Sequence, residues 1–500
     1  MTVLLPGLTV EVVAPTAPPT PLRTDVAGFI GATRKGAIGV AVRTSGMTDF
    51  VRRFGGLDRQ EDTAYAVRGY FENDGQVAWI VRVSGRVATA RATWDPALAG
   101  FPGRPFLVKA TSPGRWADNT QVDIQYRSNG LAGRPEVDVR VAAPDEPVEA
   151  FTGLEPAMVP EELQASDLIR VTPDPDATPA PAQGPRRSYR WSLTLGGGDD
   201  GQPGIEDYLA AIRTLAEQPE VAIVVAPDLS RHLDGLDRDD AIDALASVAA
   251  ETLDRLILLD VPPGEAAAGR AAAWVGSVTL RQQAGARDVA AYHPYLLVSD
   301  PLGTAAEPLR PLPPSGHVAG LISRLDRERG PHHSPANAEL RDAVDLSDAL
   351  SEREEALLYG SGINLLRCVR GRGIQVWGGR TPETAGQASF VAHRRLVHQL
   401  VRAVRAVATP LVFDVNGPEL RLTLVRGVTS VLLAAFQAGV LKGSRPDEAF
   451  RVRCDETNNP PEQDPGLVVC EIGVAPAAPM EFIKLRLVMG AEGRLEVIEA

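Results

Sequence analysis

The stretch VAIVVAPD at residues 221–228 decides the fold class, because a continuous apolar run ends there at a proline and an aspartate. Two later runs repeat this pattern, LILLDVPP at residues 256–263 and YLLVSDP at residues 295–301. Segments with helical spacing separate the runs. Apolar strands joined by helical crossovers are typical of a parallel sheet with helices on both faces. The sequence therefore predicts a doubly wound α/β domain at residues 199–373.

The sequence on either side of this domain has a different character. Residues 25–88 mix strands with short helices and predict an α/β segment, whereas residues 89–198 alternate short strands with polar loops and predict a peripheral β-rich domain. Residues 374–500 predict an α+β C-terminal domain. Its expected elements are strands at 374–377, 411–415 and 482–488 and a helix at 390–407. The fold class is therefore multidomain α/β.

Both ends of the chain carry strands without an obvious partner. Leu8, Val10 and Val12 alternate with other residues at the spacing of a half-buried strand, and residues 1–24 continue as a proline-rich arm. Near the C-terminus, Ile483, Leu485 and Leu487 alternate with basic residues. A strand with unpaired backbone groups can add to the sheet of another chain. The two segments are therefore predicted to pair between subunits.

Composition excludes several classes of protein. The 500 residues carry a formal net charge of -13, which opposes binding to a phosphate backbone, so no nucleic-acid partner is expected. No apolar run is long enough to span a bilayer and the N-terminus lacks the features of a signal peptide, which predicts a cytoplasmic protein without direct membrane insertion. Cys368, Cys454 and Cys470 have no metal-binding spacing and predict reduced, mostly buried thiols.

Candidate catalytic residues can be chosen, but their sequence context is weak. Asp228, either His293 or His317, and Ser361 follow the order of a subtilisin triad. Ser361 lies in Gly-Ser-Gly and lacks the flanking residues of a subtilisin serine or of a nucleophile elbow. No catalytic residue is therefore assigned.

Candidate metal and cofactor sites are similarly weak. His393 and His398 are five residues apart, so one helix face does not present both to a metal. His332 and His333 lie in a proline-bounded loop, and the acidic turn at residues 196–201 lacks the ligand spacing of a calcium loop. The sequence predicts no metal site and no cofactor.

A series of motifs resembles the contractile tail sheath family, which includes the sheaths of phage tails and of contractile injection systems. The motifs occur in the family's order: PGLTVEVV at 6–13, FIGATRKG at 29–36, SPGRWADN at 112–119, PPSGHVAG at 313–320, SPAN at 334–337, GINLLR at 362–367 and GVLKGSRPDEAFRVRCDETNNP at 439–460. One departure is GPHH at 330–333, where family members often carry an aromatic and basic stretch. Another is YHPY at 292–295, which replaces a proline–tryptophan pairing.

The resemblance implies a subtilisin-like arrangement of the central domain and a mechanical role. The subunit would polymerise helically around an inner tube and contract, with baseplate and tail-terminator or cap proteins as further partners. It would act in a bacterial cytoplasm as an assembled particle, in a phage tail or in a released extracellular particle. A subtilisin-like hydrolase and another self-assembling shell protein are the alternatives.

The predicted helix at 390–407 is unusually basic. Arg394, Arg395, Arg402 and Arg405 are its arginines. Two interpretations remain open. Either these side chains are solvated and pair with nearby acids such as Glu352 and Glu355, or they meet an acidic inner tube, which the family grips through its C-terminal domain.

Overall fold

The computed structural model describes residues 22–95, 105–128, 135–174, 188–277, 284–383, 390–460, 466–475, 483–489 and 495–499. The chain divides into two compact units. The central unit is Thr24–Arg395, and the C-terminal unit begins at Leu396 and includes the segment that ends at Arg23.

The central unit contains the following strands in its described part: β1 Ala27–Gly31, β2 Ala41–Thr44, β3 Ala78–Arg82, β4 Arg91–Trp94, β5 Phe106–Ala110, β6 Gln121–Ser128, β7 Pro135–Ala142, β8 Glu149–Leu154, β9 Ile169–Pro173, β10 Ser188–Thr194, β11 Ile223–Val225, β12 Leu256–Asp260, β13 Val289–His293, β14 Leu296–Thr304, β15 Glu307–Leu312, β16 Glu339–Leu340, β17 Asp345–Leu346, β18 Ile363–Val369 and β19 Gly373–Trp377. Its helices are α1 Met47–Phe54, α2 Thr63–Glu72, α3 Val159–Glu162, α4 Ile205–Ala216, α5 Leu229–His232, α6 Gly235–Thr252, α7 Ala268–Ser277, α8 Ser315–Arg329 and α9 Glu352–Gly360. Helix α10, Val391–Ala408, begins in this unit and ends in the C-terminal unit.

The main sheet has nine strands in the described residues, in the order β16-β19-β18-β13-β12-β11-β1-β3-β2. Strands β18, β13, β12, β11, β1 and β3 run parallel to one another, and antiparallel strands close both ends. The predicted parallel α/β sheet is therefore present. Segment 25–88 contributes three of the nine strands, so its elements and those of residues 199–373 form one sheet.

The alternation of side chains along the parallel strands creates two hydrophobic cores. Val224 and Ile257 lie in the core formed with α4, α6 and α7, whereas their neighbours Ile223 and Leu258 lie in the core formed with α2 and α8. Both faces of the sheet are therefore buried, which explains why these strands are continuously apolar in sequence.

Glycine allows α2 and α8 to pack closely. A Cβ at Gly316 would lie 2.5 Å from the Ala66 carbonyl oxygen, and one at Gly320 would lie 2.4 Å from the Tyr70 carbonyl oxygen. Both distances are below normal contact, so only glycine allows this approach. The PPSGHVAG motif thus has a packing role. Ser315 is the first residue of α8, and its hydroxyl donates to Asp260 at 2.5 Å.

The predicted β-rich region forms two smaller sheets, β10-β6-β7-β8 and β4-β5-β9, around a separate core that contains Trp94, Trp116 and Trp191. The apolar run at 295–301 differs from the prediction. Its residues form β14, which pairs with β15 and β17 in a three-stranded sheet, while Val289–His293 supplies the strand of the main sheet.

The C-terminal unit contains α10 from Leu396 onward, helices α11 Pro418–Gln437 and α12 Pro446–Ala449, and strands β20 Phe450–Arg453, β21 Val468–Val474, β22 Ile483–Met489 and β23 Leu495–Glu499. The strands form an antiparallel sheet in chain order. The predicted strand at 411–415 is wrong: a 3-10 turn, Thr409–Leu411, leads into a loop, and Phe413 has a φ of 79°. The left-handed backbone of Phe413 at the centre of the segment interrupts the extended conformation that a strand needs.

Candidate functional sites

The N-terminal strand residues Leu8, Val10 and Val12 lie outside the described residues. Their predicted role in pairing between subunits therefore stays a prediction.

The C-terminal strand residues Ile483, Leu485 and Leu487 lie on β22, which is an inner strand of its own sheet. Its backbone pairs with β21 on one side, where Leu485 is opposite Ile472, and with β23 on the other. A strand paired on both sides has no free edge to offer. The outer strands of this sheet, within the described residues, are β20 and β23.

The first two arginines of α10 are buried in the central unit. Arg394 is 1% exposed, and its guanidinium donates to Asp288 at 2.9 Å from Nε. Arg395 is 2% exposed, pairs with Asp326 and donates to the Thr24 carbonyl at 2.8 Å. Burial raises the pKa of Asp326 to about 6 despite the Arg395 charge.

The other two arginines belong to the C-terminal unit. Arg402 is 1% exposed and donates to the Arg23 carbonyl at 2.9 Å, and Arg405 is half-buried. Arg394, Arg395 and Arg402 are therefore buried in the subunit rather than solvated, and carboxylates and carbonyls that are distant in sequence hold them. The contact of Arg394, Arg395, Arg402 and Arg405 with an inner tube stays a prediction.

The aspartate and the serine of the hypothetical triad are both engaged elsewhere. Asp228 is fully buried and accepts hydrogen bonds from the Ala32 and Asp62 amides and the Thr63 hydroxyl. The Ser361 hydroxyl donates to the Leu357 carbonyl at 2.9 Å, at the end of α9.

The two histidines considered for the triad differ in their surroundings. His317 is buried in α8, and one ring nitrogen lies 3.3 Å from the Asp342 carbonyl. Burial lowers the pKa of His317 to about 4, so the ring is neutral. His293 lies at the carboxyl end of β13, and burial lowers its pKa as well. No hydrogen bond joins Asp228 to either ring, so the residues do not form a charge-relay arrangement.

A network of charged residues surrounds Asp228 at the carboxyl ends of the parallel strands. Asp62 receives hydrogen bonds from Arg231 at 2.7 Å and from Arg310. The adjacent His232 lies 2.9 Å from a Glu61 oxygen and 2.8 Å from the Tyr208 hydroxyl. Burial raises the pKa of both Asp62 and Asp228. The network has a structural role, because it joins the loop before α2 to the ends of β11 and β15.

A cleft of about 430 Å³ lies beside this network. Its lining includes Arg231, His293, Tyr295, Ser347 and Asp348. The His293 ring nitrogens have no hydrogen-bond partner among the described residues. No nucleophile is placed by hydrogen bonds toward this ring, so the arrangement supports no particular reaction.

Two other family-like motifs have architectural roles that sequence reasoning did not assign. In GINLLR, the Asn364 amide donates to the Ala291 and Arg380 carbonyls and accepts from the Arg380 amide, which joins β18 to β13 and to the segment after β19. In SPAN, Asn337 adopts a φ of 61°, and its backbone amide donates to the Val376 carbonyl at 2.8 Å. An asparagine in a left-handed turn was a signal available in the sequence.

The described residues lack two features. Within the described ranges, no helix combines the length and apolar character needed to cross a membrane. The same parts of the chain contain no group of three or more histidine, cysteine, aspartate or glutamate side chains that could hold a metal ion.

Sequence comparison finds a similarity to a known family in the middle of the chain. Residues 201–382 match the profile described as phage tail sheath protein central domain. The chain is also 29% identical over 182 residues to the tail sheath protein of Vibrio phage KVP40, an alignment that covers 35% of this chain. The chain spans only 26% of the length of that relative.

Structural comparison extends the likeness over nearly the whole chain. The sheath tail protein of Desulfitobacterium hafniense has a TM-score of 0.64 at 12% identity, covering 97% of this chain and 100% of that one. The helical sheath of the anti-feeding prophage in its contracted state has a TM-score of 0.56 at 20% identity, covering 96% and 98%. Residues 201–382 thus resemble the central domain of phage tail sheath proteins, within a chain that has a mixed α/β multidomain fold similar to that of sheath proteins.

Proposed function

We propose that this chain is the structural subunit of a contractile sheath, which polymerises helically around an inner tube and contracts to drive that tube through a target envelope. The observation that carries the proposal is the fold likeness across almost the entire chain to sheath proteins, one of them solved as a contracted helical sheath. A shared catalytic domain alone would match only the central unit, whereas here the C-terminal unit matches too.

The proposal includes further partners and a location. Baseplate and tail-terminator or cap proteins would bind the ends of the polymer, and the particle would be a phage tail, a released extracellular particle or an assembly in the bacterial cytoplasm. The central unit, with six parallel strands covered by helices on both faces, supports a subtilisin-like arrangement. The dispersed positions of Asp228, His317 and Ser361 support a role without catalysis.

Strand exchange would link the subunits. In the single chain, β22 pairs with β21 in a defined antiparallel register from Val474↔Ile483 to Val468↔Met489. The intervening sequence, APAAPMEF at 475–482, is rich in proline and alanine. An element that can detach at such a connection can make the same hydrogen bonds to a neighbouring copy, as in domain swapping. The N-terminal residues Leu8, Val10 and Val12 would then add to an outer strand of a neighbour's sheet.

Contraction follows from this division of roles. The exchanged strands would hold neighbours together while the central units rotate as rigid bodies between two packings. Contacts of this kind are heterologous and do not close, so the polymer grows as a tube. The free energy for contraction would be stored when the extended lattice assembles.

Electron microscopy of the purified full-length protein tests the proposal. We expect hollow helical tubes. A uniform population of monomers, across protein concentrations and in the presence of the inner-tube protein, would contradict the sheath assignment.

Two variants separate assembly from catalysis. Deleting residues 1–13 should leave folded subunits that no longer form tubes, whereas normal tubes from this deletion would remove the arm from the account. Ser361→Ala should assemble as the wild type does. Peptidase activity in the wild type that disappears in Ser361→Ala would favour the hydrolase alternative.

A further inference from the structure

The C-terminal unit brings two cysteines together on adjacent strands. In the register of β20 and β21, Arg453 is opposite Glu471, so the next position places Cys454 opposite Cys470. Both are free thiols, 8% and 0% exposed, whereas Cys368 is exposed and lies in the other unit.

The hydrogen-bond pattern defines what kind of pair these cysteines form. The Ala475 amide donates to the Ala449 carbonyl at 2.8 Å, and both backbone groups of Val469 bond to the Asn459 side chain on the β20 side. Successive residues of an antiparallel strand direct their backbone groups to opposite sides. Those of Val469 face β20, so those of Cys470 face away from it, and Cys454 and Cys470 form a non-hydrogen-bonded pair. Cα atoms in such pairs are about 4.5 Å apart, within the range of about 4.4–6.8 Å that a disulfide spans.

Asn459 keeps the two strands in this arrangement beyond the end of β20. Its amide nitrogen donates to the Val469 carbonyl at 2.8 Å, and its oxygen accepts from the Val469 amide at 2.6 Å. The same nitrogen lies 4.0 Å from the Cys454 sulfur. Asn459 is 3% exposed, so this clamp is part of the folded core.

We propose that Cys454 and Cys470 are a redox-active pair that closes to a cross-strand disulfide when the protein meets a small-molecule disulfide. The pair joins β20 covalently to β21 and encloses the loop at residues 455–469. The inference concerns this unit alone and does not depend on the proposed sheath function.

The two thiols have different roles in the exchange. A hydrogen bond from Cys470 lowers the pKa of the Cys454 thiol, whereas the same bond and burial raise the pKa of Cys470. Cys454 is also the more exposed of the two and lies beneath an exposed turn at Asp455–Thr457. Because the thiolate is the nucleophile, Cys454 attacks first and Cys470 resolves.

The reaction balances without any other oxidant. The Cys454 thiolate attacks one sulfur of oxidised glutathione, which forms a mixed disulfide and releases one glutathione thiolate. Cys470 loses its proton and attacks the Cys454 sulfur, which forms the internal disulfide and releases the second glutathione. Two thiols are oxidised in the protein and one disulfide is reduced to two thiols.

Thiol trapping on the native full-length protein tests the proposal. The protein is incubated with oxidised glutathione, quenched with acid, unfolded, alkylated and analysed by intact mass and peptide mapping. We expect the wild type to lose two of its three alkylatable thiols, with a Cys454–Cys470 peptide and a mass lower by two hydrogens. Cys368→Ser should lose the same two. The oxidised C-terminal unit should melt more than about 5 °C higher than the reduced one, because the closed loop is restricted when unfolded.

Single variants test the order of attack. Cys470→Ala should accumulate a glutathione adduct at Cys454, because the resolving thiol is missing, whereas Cys454→Ala should keep Cys470 alkylatable. An adduct at Cys470 in Cys454→Ala would overturn the assignment of Cys454 as the attacking thiol. Full alkylation of both cysteines in the oxidised wild type, or a disulfide that always includes Cys368, would overturn the proposal itself.

Discussion

The sheets of the two units differ in how they are completed. The main sheet of the central unit is buried on both faces, and its parallel strands are supplied by segments from Ala27 to Val369. The C-terminal sheet is built from four consecutive strands, and its last two follow the proline-rich connection after Val474. A sheet buried on both faces is held by two cores, whereas strands that follow a proline-rich connection are candidates for exchange between copies. The comparison predicts that substitutions in the central unit affect folding and those in the C-terminal sheet affect assembly.

The buried arginine of α10 should have the largest effect on folding. Arg394→Ala leaves the carboxylate of Asp288, which is 0% exposed, without this guanidinium, and we expect a loss of about 3–5 kcal/mol in the free energy of unfolding. All six tryptophans lie in the central unit, between Trp79 and Trp377, so urea unfolding followed by tryptophan fluorescence reports this unit.

Arg52→Ala is the matched control, because Arg52 pairs with Asp49 on the surface of α1 and is 60% exposed. Its unfolding midpoint should equal that of the wild type. If Arg394→Ala kept the wild-type midpoint and lost only binding to the inner tube, the buried pairing would be contradicted and the original surface interpretation restored.

The helix contact between α2 and α8 should have a smaller effect. Gly320→Ala places a methyl group against the Tyr70 carbonyl and should cost about 1–3 kcal/mol. Gly269→Ala in α7 meets no atom within 4 Å and should be neutral or stabilise by about 0.5–1 kcal/mol, because alanine favours a helix. If both substitutions changed the free energy of unfolding in urea equally, close packing against α2 would not be the role of Gly320.

The titration of Asp260 should change the free energy of unfolding of the central unit by a smaller amount again. Burial raises the pKa of Asp260 to about 7, although hydrogen bonds from Ser315 oppose the shift. Between about pH 4 and pH 7 the unfolded chain releases a proton that the folded chain keeps, so rising pH favours unfolding. Asp260→Asn keeps the acceptor for the Ser315 amide and removes the titration.

The measurement for this prediction is the free energy of unfolding at pH 5 and at pH 8. Between pH 5 and pH 8 the free energy of unfolding of Asp260→Asn should fall by about 1–2 kcal/mol less than that of the wild type. This figure is reduced because Asp260 is partly exposed. His317, whose pKa is lowered, titrates in both proteins and cancels in the difference. An identical loss in both proteins would mean that Asp260 is ionised in the folded state.

The C-terminal strand should have the smallest effect on the central unit and the clearest effect on assembly. Leu485→Pro removes a backbone donor from β22, which pairs on both sides. The tryptophan-monitored midpoint should match the wild type while electron microscopy finds short or absent tubes. Normal tubes built by the variant would exclude β22 from the contacts between subunits.

The sequence predicted elements whose pattern is local. The continuous apolar runs at 221–228 and 256–263 predicted parallel strands, and the predicted helix at 390–407 matches Val391–Ala408 within a residue. Helix α11 was missed although a signal existed: Leu420, Leu424, Val428 and Leu432 recur at helical spacing after Pro418, and all are buried.

The candidate site residues depended on partners that are far away in sequence. Arg394 and Asp288 are 106 residues apart, and Arg395 and Asp326 are 69 apart. The sequence of a basic helix predicts a solvent-facing surface, because it does not show that those carboxylates are buried beside the helix. The pairing of Cys454 with Cys470 was hidden for a similar reason, since it depends on the register between β20 and β21.

Cryo-electron microscopy of assembled tubes tests the central claim most directly, at a resolution that follows the backbone from Val474 to Ile483. The account predicts that this connection crosses to a neighbouring subunit and that Ile483–Met489 pairs there in the same antiparallel register as in the single chain. A connection that returns to its own sheet in every subunit, with no strand from another chain added to that sheet, would contradict the account.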